Sequence, residues 1–185
     1  MKSTFNSIGV IGTGVIGSGW IIRFLFNKKK VYVYDPNKKQ KEFLLSEIRR
    51  VKLSLSNIYK SKINIKNQLF FCNSIKEAVT NADLIQENTP ENERIKIKII
   101  KKISESAKKN AIIASSSSGL LPSRIQMQCI NPGRMIIAHP FNPVYLLPLV
   151  ELVKGKKTTN SSIKKAEKFY TEIGMKTLKL KKELP

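Results

Sequence analysis

The chain has 185 residues, 41% of them hydrophobic, and a formal net charge of +21. That length suits one domain, no apolar run reaches the roughly 18 residues that cross a membrane, and no signal-peptide pattern is present, so we expect a cytoplasmic protein without membrane contact. Lysines lie along the whole chain without an aromatic-interleaved stripe, and Cys72 and Cys129 lack metal-ligand spacing, so we expect neither specific nucleic-acid binding nor a metal site.

Short apolar runs rich in β-branched residues alternate with amphipathic stretches along the chain. This alternation predicts an α/β fold of the Rossmann type, with a doubly wound, mainly parallel sheet and helices on both faces. The predicted strands are Ser7 to Ile11, Val31 to Asp35, Leu69 to Cys72, Asp83 to Glu87, Ala111 to Ser115, Met135 to His139, Leu149 to Val153 and Lys176 to Lys181.

The helices are predicted between these strands. One follows the glycine-rich loop after the first strand, and two others cover residues 38–62 and 161–173. A further helix is expected from Pro90 to Lys109, with Thr89 as its N-cap and Pro90 at the first helical position, where a missing N–H costs little. Lys108 and Lys109 then lie at the negative end of the helix dipole.

The last predicted strand leads directly into Pro185 in "GMKTLKLKKELP". A strand that runs into proline more often leads to another element than ends a protein. A fragment of a longer protein is therefore one interpretation of this chain.

The stretch "SIGVIGTGVIGSGW" has the spacing G-x-G-x-x-G directly after a predicted strand. Gly12 permits a tight turn, Gly14 has no side chain to block a pyrophosphate, and Gly17 lets the helix approach the sheet. The helix N-terminus offers free N–H groups to phosphates. The alternative is a glycine-rich turn that serves packing only. The residues expected to contact the cofactor here are Gly12, Thr13, Gly14, Val15, Ile16 and Gly17.

An acidic residue completes the dinucleotide pattern at Asp35, about 20 residues after the glycines, in "VYVYD". Its carboxylate can accept hydrogen bonds from both ribose hydroxyls and would repel a 2′-phosphate, which favours NAD over NADP. The neighbouring Lys38 and Lys39 leave NADP open. A role for Asp35 in capping the next turn is the simpler alternative.

The one histidine of the chain, His139, lies in "HPFNPVYLLPLVELV", twelve residues before Glu151. If the two predicted strands pair antiparallel, these residues come opposite each other. A carboxylate beside an imidazole orients the ring, which can then take a proton from a hydroxyl, as hydride transfer to a nicotinamide requires. A loop histidine bonded only for structure is the alternative.

A second polar cluster lies in "IIASSSSGLLPS", after a predicted strand. The carboxyl ends of strands are where doubly wound sheets bind ligands, so we expect this run to line the crevice and to offer hydroxyls to a substrate oxygen. A short flexible linker at residues 116–118 is the alternative.

These residues together resemble the NAD-binding domain of the 3-hydroxyacyl-CoA dehydrogenase superfamily. The resemblance extends from the glycine loop to the end of the chain, and "IASSSSGLLPS" and "HPFNPVYLLPLVELV" most resemble the members that oxidise L-carnitine to 3-dehydrocarnitine with NAD. It implies that the enzyme is an NAD-dependent dehydrogenase of a 3-hydroxy acid. Two alternatives stay open: a 3-hydroxyacyl-CoA dehydrogenase, and a non-catalytic NAD-binding fragment.

The resemblance also implies roles for individual residues. His139 is the general base and Glu151 the carboxylate that orients it. Ser118 bonds the substrate oxygen near the nicotinamide, and Asn142 of the H-x-F-N-P motif belongs to the same pocket. Two further positions, Glu91 and Lys96, match cofactor contacts, although either could be an ordinary charge of the helix after Pro90.

Members of this superfamily continue into a helical second domain that closes the substrate cleft and makes the dimer, and we expect no counterpart of that domain within residues 1–185. We therefore expect residues 1–185 to form one NAD-binding domain that ends at the linker. The expected partners are a small 3-hydroxy acid or acyl-CoA, and either a second copy of the chain or a partner chain with the helical domain.

Overall fold

All eight predicted strands are present in a computed structural model, which describes residues 5–183. Five of them match their predicted starts, the other three begin one residue away, and no strand end differs from its prediction by more than two residues. The passage from the last strand into Pro185 lies outside the described residues. The strands are β1 (Ser7–Ile11), β2 (Lys30–Tyr34), β3 (Leu69–Phe71), β4 (Leu84–Glu87), β5 (Ile112–Ser115), β6 (Met135–Pro140), β7 (Leu149–Lys154) and β8 (Lys176–Lys179).

The strands form a single sheet with the order β3-β2-β1-β4-β5-β6-β7-β8. The first six have the doubly wound order in which the chain starts at the centre and winds out to both sides. Every neighbouring pair is parallel except β6 and β7, which are antiparallel. The predicted fold class is confirmed, and the reversal at β7 is the one the sequence required to bring His139 and Glu151 together.

Helices cover both faces of the sheet. They are α1 (Val15–Phe26), α2 (Lys39–Tyr59), α3 (Ile65–Gln68), α4 (Ile75–Val79), α5 (Glu93–Ser106), α6 (Pro122–Ile125) and α7 (Asn160–Glu172), with a 3-10 turn at Pro132–Arg134. The sequence did not predict α3, α4 and α6, because four or five residues are too few to display helical periodicity.

The start of α5 corrects the sequence prediction. The N-cap is Asn92, whose side chain accepts a hydrogen bond from the N–H of Ile95, and the helix starts at Glu93. Thr89 is not the cap, because its N–H and hydroxyl both donate to the carboxylate of Glu87. Pro90 therefore lies before the helix.

The end of α5 and the strand bounds need smaller corrections. The helix ends at Ser106, so the predicted positions 108 and 109 lie beyond it, and Lys108 pairs with Asp83 instead. The last strand stops at Lys179 rather than at residue 181. Asp35 follows β2 instead of ending it.

Two apolar cores sandwich the sheet. One lies beneath α1, α2 and α7 and contains the stacked rings of Trp20 and Phe24, whose centroids are 5.4 Å apart. The other lies beneath α4, α5 and α6. Both cores are made from alternate residues of the same strands, for example Val10 and Ile11 of β1. The sheet is therefore covered on both sides and opens to ligands at its carboxyl edge.

No helix within residues 5–183 combines the length and apolar character needed to span a membrane. No group of three or more His, Cys, Asp or Glu side chains in the same range is arranged to hold a metal ion. Cys72 and Cys129 are free thiols.

Candidate functional site

The turn between β1 and α1 depends on two glycines for its shape. Gly12 has φ +87°, a conformation that L side chains rarely adopt, and a Cβ there would lie 2.7 Å from the backbone oxygen of Asn88. A Cβ at Gly17 would lie 2.0 Å from the carbonyl oxygen of Gly12. These two positions require glycine for the fold itself.

Gly14 is different, because a Cβ built there meets nothing within 4 Å. It is the N-cap of α1 and makes no side-chain cap, so the N–H groups of the first helical turn have no partner within the helix. A glycine that packing does not require, beside free N–H groups at the positive end of a helix, fits the close approach of a pyrophosphate. The residues present therefore fit the phosphates of a dinucleotide.

The two residues after Gly14 face different surroundings. Val15 is 60% exposed, and Ile16 lines the cavity that also contains His139. Thr13, in contrast, is buried, and its N–H and hydroxyl donate to Asp35 over 2.8 and 3.1 Å. Thr13 was predicted to contact the cofactor, but both of its hydrogen-bond donors stabilise the turn.

The Asp35 carboxylate connects the glycine loop to the segment after β2. One oxygen accepts the two bonds from Thr13, and the other accepts the N–H of Asn37 over 2.9 Å. Asp35 also lines a cavity of about 310 Å³, together with Lys38, Lys41 and Cys72. The capping alternative is therefore present, and three of the four lone pairs of the carboxylate are used. One lone pair of Oδ1 is left for a ribose hydroxyl, and a second ribose hydroxyl would have to displace that of Thr13.

His139 and Glu151 are directly opposite each other in the antiparallel ladder of β6 and β7. The Nδ1 atom of His139 lies 3.0 Å from Oε2 of Glu151, and both side chains are just over one quarter exposed. The ring of Phe141 lies 5.6 Å from the imidazole ring, centroid to centroid. The pairing that the sequence made conditional on antiparallel strands is therefore present.

The cavity beside His139 has a volume of about 280 Å³. It lies at the carboxyl ends of the central strands, where doubly wound sheets bind ligands. Four of the predicted site residues and Ile16 of the glycine loop share it, and its lining consists of Ile16, Asn88, Thr89, Glu91, Lys96, Ser116, Ser118, His139 and Pro140.

The four serines at the end of β5 do not share one role. The hydroxyl of Ser115 donates to Glu87, that of Ser116 to Asn88 and that of Ser117 to Glu91. Ser118 is exposed at the cavity. The run is thus an ordered loop rather than a flexible linker. Ser116 and Ser118 both line the cavity, and Ser118 is the exposed one of the two.

Glu91 holds this serine loop in place. One carboxylate oxygen accepts hydrogen bonds from the hydroxyl of Ser117 and from the N–H groups of Ser118 and Gly119. Burial favours a higher pKa for Glu91, but these hydrogen bonds and the charge of Lys96 outweigh it and lower the pKa. Glu91 is therefore more than a charge in the first turn of a helix, because it lies before α5 and anchors another loop.

Lys96 is buried, with 1% of its side chain exposed, so the surface-charge alternative is wrong. Its Nζ atom lies 3.0 and 3.1 Å from the two oxygens of Glu87 and 2.9 Å from the carbonyl oxygen of Thr89. The second oxygen of Glu91 lies 3.6 Å away. Lys96 thus binds the end of β4 and the loop that follows it, and it reaches the loop after β5 only through Glu91.

Glu87 is the site residue that the sequence analysis missed. Its side chain is fully buried at the end of β4. A carboxylate that ends an apolar strand and lies nine residues before a lysine was the available signal. An unpaired buried carboxylate carries a large desolvation cost, which the ion pair with Lys96 offsets.

A chain of buried polar groups reaches the serine loop from α7. The hydroxyl of Tyr170 donates to Gln86 over 2.6 Å, and the amide of Gln86 donates to Ser116 over 2.9 Å. The indole N–H of Trp20 also donates to Ser116. Burial raises the pKa of Tyr170, so its phenol stays neutral and donates.

Asn142 lies apart from the cavity of His139. It lines a neighbouring cavity of about 290 Å³ between α1, α2 and the loop after β6, with Val15, Phe43 and Tyr145 among the other lining residues. The two cavities share no lining residue. The structure therefore brings His139, Glu151 and Ser118 to one edge of the sheet and places Asn142 next to them in a second cavity.

Comparison with known proteins identifies the family. The family model described as the NAD-binding domain of 3-hydroxyacyl-CoA dehydrogenase matches residues 7–184. This chain belongs to that family. The family assignment confirms the predicted resemblance and NAD as the cofactor of the domain.

Curated relatives of the family cover nearly all of this chain. L-carnitine dehydrogenase of Oceanobacillus iheyensis is 44% identical over 179 residues, which are 97% of this chain and 58% of that protein. L-carnitine dehydrogenase of Pseudomonas sp. is 42% identical over 97% of this chain and 56% of its own length. The chain therefore spans a little over half the length of these relatives.

Solved structures of the same fold are also similar. A 5-formyl-3-hydroxy-2-methylpyridine 4-carboxylic acid 5-dehydrogenase, described as an NAD⁺-dependent dismutase, is 27% identical with a TM-score of 0.88, and the match covers 97% of this chain and 59% of that one. The 3-hydroxybutyryl-CoA dehydrogenase of Escherichia coli has a TM-score of 0.85 at 21% identity over 95% of this chain and 38% of that one, a likeness of fold alone.

Proposed function

We propose that this chain is the NAD-binding part of a dehydrogenase that oxidises a 3-hydroxy acid, and that the substrate is L-carnitine, converted to 3-dehydrocarnitine. The observation that carries the proposal is the contact of 3.0 Å between His139 and Glu151, beside a cavity that also contains Ser118 and the glycine-loop residue Ile16. A base, a hydroxyl group and the cofactor loop thus surround one space.

His139 is the general base in this proposal. Its Nδ1–H donates to Glu151, which leaves the unprotonated Nε2 to accept the proton of the substrate hydroxyl. The carboxylate of Glu151 then stabilises the imidazolium that forms. The NAD that the glycine loop would hold would supply the acceptor for the hydride of the carbon that carries the hydroxyl. The alcohol thereby loses one proton and one hydride and becomes a ketone.

Ser118 and the glycine loop bind and orient in this reaction. The Ser118 hydroxyl bonds the substrate oxygen, and the anchored N–H groups of residues 118 and 119 keep the serine in position. The N–H groups at the start of α1 hold the pyrophosphate, and Asp35 accepts the ribose hydroxyls. Glu91 and Lys96 line the same cavity and would contact the cofactor there. We assign Asn142 to the far end of the substrate, in the second cavity.

The choice of carnitine over an acyl-CoA rests on the relatives named L-carnitine dehydrogenase, which are 44% and 42% identical to the chain. Since the chain spans just over half of those proteins, we propose that turnover needs a helical second domain, supplied by a continuation of the chain or by a partner, and that the enzyme works as a cytoplasmic homodimer.

The test is an assay of the chain joined to a helical second domain, with either L-carnitine plus NAD or acetoacetyl-CoA plus NADH as substrates and nicotinamide absorbance as the signal. Oxidation of L-carnitine with NAD supports the proposal. Activity on acetoacetyl-CoA alone would replace the substrate and keep the reaction. NAD binding without turnover of either substrate would contradict the catalytic proposal and favour a non-catalytic domain.

A further inference from the structure

A buried arginine reaches the loop that follows His139. Arg23 lies on α1 and is 3% exposed. Its Nε donates to the carbonyl oxygen of Val144 over 2.8 Å, and its Nη1 donates to the carbonyl oxygens of Ile173 and Gly174 over 3.2 and 3.5 Å. These bonds join α1 to segments more than 120 residues further along the chain.

The surroundings of Arg23 make this arrangement costly. Burial lowers the pKa of the guanidinium, and its described hydrogen bonds all go to backbone carbonyls instead of a carboxylate. An apolar side chain would fill the same space on α1 without the cost of burying a charge. The carbonyls that Arg23 bonds would then lose their buried donor, which indicates that the loop geometry is what the arginine maintains.

The loop at 141–148 is fixed to α1 and α2 by further contacts. Val144 is fully buried, and a Cβ at Gly19 of α1 would lie 2.9 Å from its side chain. The hydroxyl of Tyr59 on α2 donates to the carbonyl of the next residue, Tyr145, over 2.7 Å. Arg23 and Tyr59 thus hold two consecutive carbonyls of a loop that carries no ladder bonds of its own.

This loop determines where Glu151 lies relative to His139. The β6–β7 ladder closes at Pro140 and Val150, and the loop joins those two ends. On the other side of β7, the turn at 173–174 that Arg23 also bonds leads into β8, whose Leu178 is opposite Glu151. Arg23 therefore contacts both the segment that precedes β7 and the segment that precedes β8.

We propose that Arg23 is a positioning residue, which fixes the loop after β6 so that the Glu151 carboxylate stays on Nδ1 of His139. The inference deepens the proposed function, because it concerns the orientation of the proposed base. It assigns Arg23 no contact with substrate or cofactor.

The test uses the single histidine of the chain, whose imidazole gives a unique pair of ¹⁵N signals. In the 185-residue chain, at a pH where the ring is neutral, a long-range ¹H–¹⁵N spectrum reports which nitrogen carries the proton. We expect the Nδ1–H form to dominate in the parent chain. In Arg23→Met that form should fall below the Nε2–H form, with Arg23→Lys between the two.

The matched control is Arg134→Met. Arg134 is also buried, at 5% exposure, and donates to the carbonyls of Ser104 and Ala111, but it lies before β6, at the end remote from His139. The Arg134→Met variant should be less stable than the parent chain and should give the same imidazole spectrum. If Arg23→Met fails to fold, Arg23→Lys and Tyr59→Phe carry the same comparison.

An unchanged proton position in folded Arg23 variants, or an equal change in Arg134→Met, would overturn the proposal. The result does not depend on turnover. A chain that shows the expected imidazole change and yet oxidises no substrate in the complete enzyme would keep the inference about Arg23 and lose the proposed function.

Discussion

Glu87 and Lys96 form an ion pair in which neither side chain is more than 1% exposed, with Nζ to Oε1 at 3.0 Å. Lys96 lines the cavity of His139 and contacts the loop after β4 at Thr89 and Glu91. The end of β5 and the serine loop are joined to the same group, because Ser115 donates to Glu87 and Ser117 donates to Glu91. Loss of the ion pair is therefore expected to change the shape of the site as well as the stability of the fold.

Replacing Lys96 by methionine should destabilise the chain strongly. The substitution leaves the Glu87 carboxylate buried without its counter-charge, a change that costs about 3–5 kcal/mol. Unfolding in urea measures the loss. The control Lys108→Met breaks the exposed pair with Asp83 and should cost at most about 1 kcal/mol. Similar losses in the two variants would refute the buried-pair argument.

His139→Gln should abolish turnover in the complete enzyme and leave NAD affinity nearly intact. Glutamine keeps a polar side chain but cannot take the hydroxyl proton, and a positioned general base contributes about 100-fold or more to rate. Steady-state kinetics and calorimetric titration with NAD separate the two effects. Equal losses of turnover and NAD binding would count against the assignment of the base.

Asp35→Asn should reduce the thermal stabilisation by NAD and narrow its advantage over NADP. The carboxylate is the proposed acceptor for the ribose hydroxyls, and its charge disfavours a 2′-phosphate. The shift in unfolding temperature with each nucleotide is the measurement. Asp83→Asn is the control, because Asp83 also accepts two backbone N–H groups, from Asn6 and Ser7, at the opposite end of the sheet. An undiminished NAD shift in Asp35→Asn would contradict the assignment.

Glu91 should stabilise the fold at neutral pH, and this contribution to the free energy of unfolding should be lost in acid. Its pKa in the folded chain is below the usual 4.5, because hydrogen bonds and Lys96 outweigh the opposing effect of burial. The stabilisation is therefore complete above pH 4.5 and disappears as the pH falls through the folded value. Urea unfolding of the parent chain and Glu91→Gln from pH 7 downwards should give curves that converge in acid. Curves that stay parallel would exclude this contribution.

Cys72 should react slowly with iodoacetamide at neutral pH. Burial, followed by the charge of Glu77, raises the pKa of its thiol to about 11, so the reactive thiolate is scarce. Because Cys72 lines the cavity of Asp35, NAD should slow its alkylation further. Cys129, which is buried and does not line that cavity, serves as the internal control in a mass-spectrometric time course. Equal protection of both thiols would mean that NAD acts by global stabilisation.

The sequence predicted the sheet well because strand and turn signals are local. The glycine turn, Asp35 and the antiparallel pairing of His139 with Glu151 all follow from spacings of 22 residues or fewer. Arg23 was beyond reach, since it bonds Val144 and Ile173 over 121 and 150 residues. Nothing in a local pattern marks a polar helix residue as buried.

The site itself was predicted in part. The spacing of the serines showed a polar loop but not that three of the four hydroxyls bond within the protein. Lys96 was expected to contact the cofactor, with an ordinary surface charge as the alternative, and its buried ion pair with Glu87 of β4 was not predicted. The start of α5 was misplaced because Thr89 is a good cap by type, but the buried Glu87 engages both of its donors.

The antiparallel ladder of β6 and β7 makes the proposed base unusually sensitive to chain length. Side chains alternate between the two faces of a sheet, so a slip of one residue between these strands turns Glu151 to the face opposite His139. A single inserted or deleted residue within either strand would separate the imidazole from its carboxylate completely, whereas most substitutions nearby would only weaken the contact.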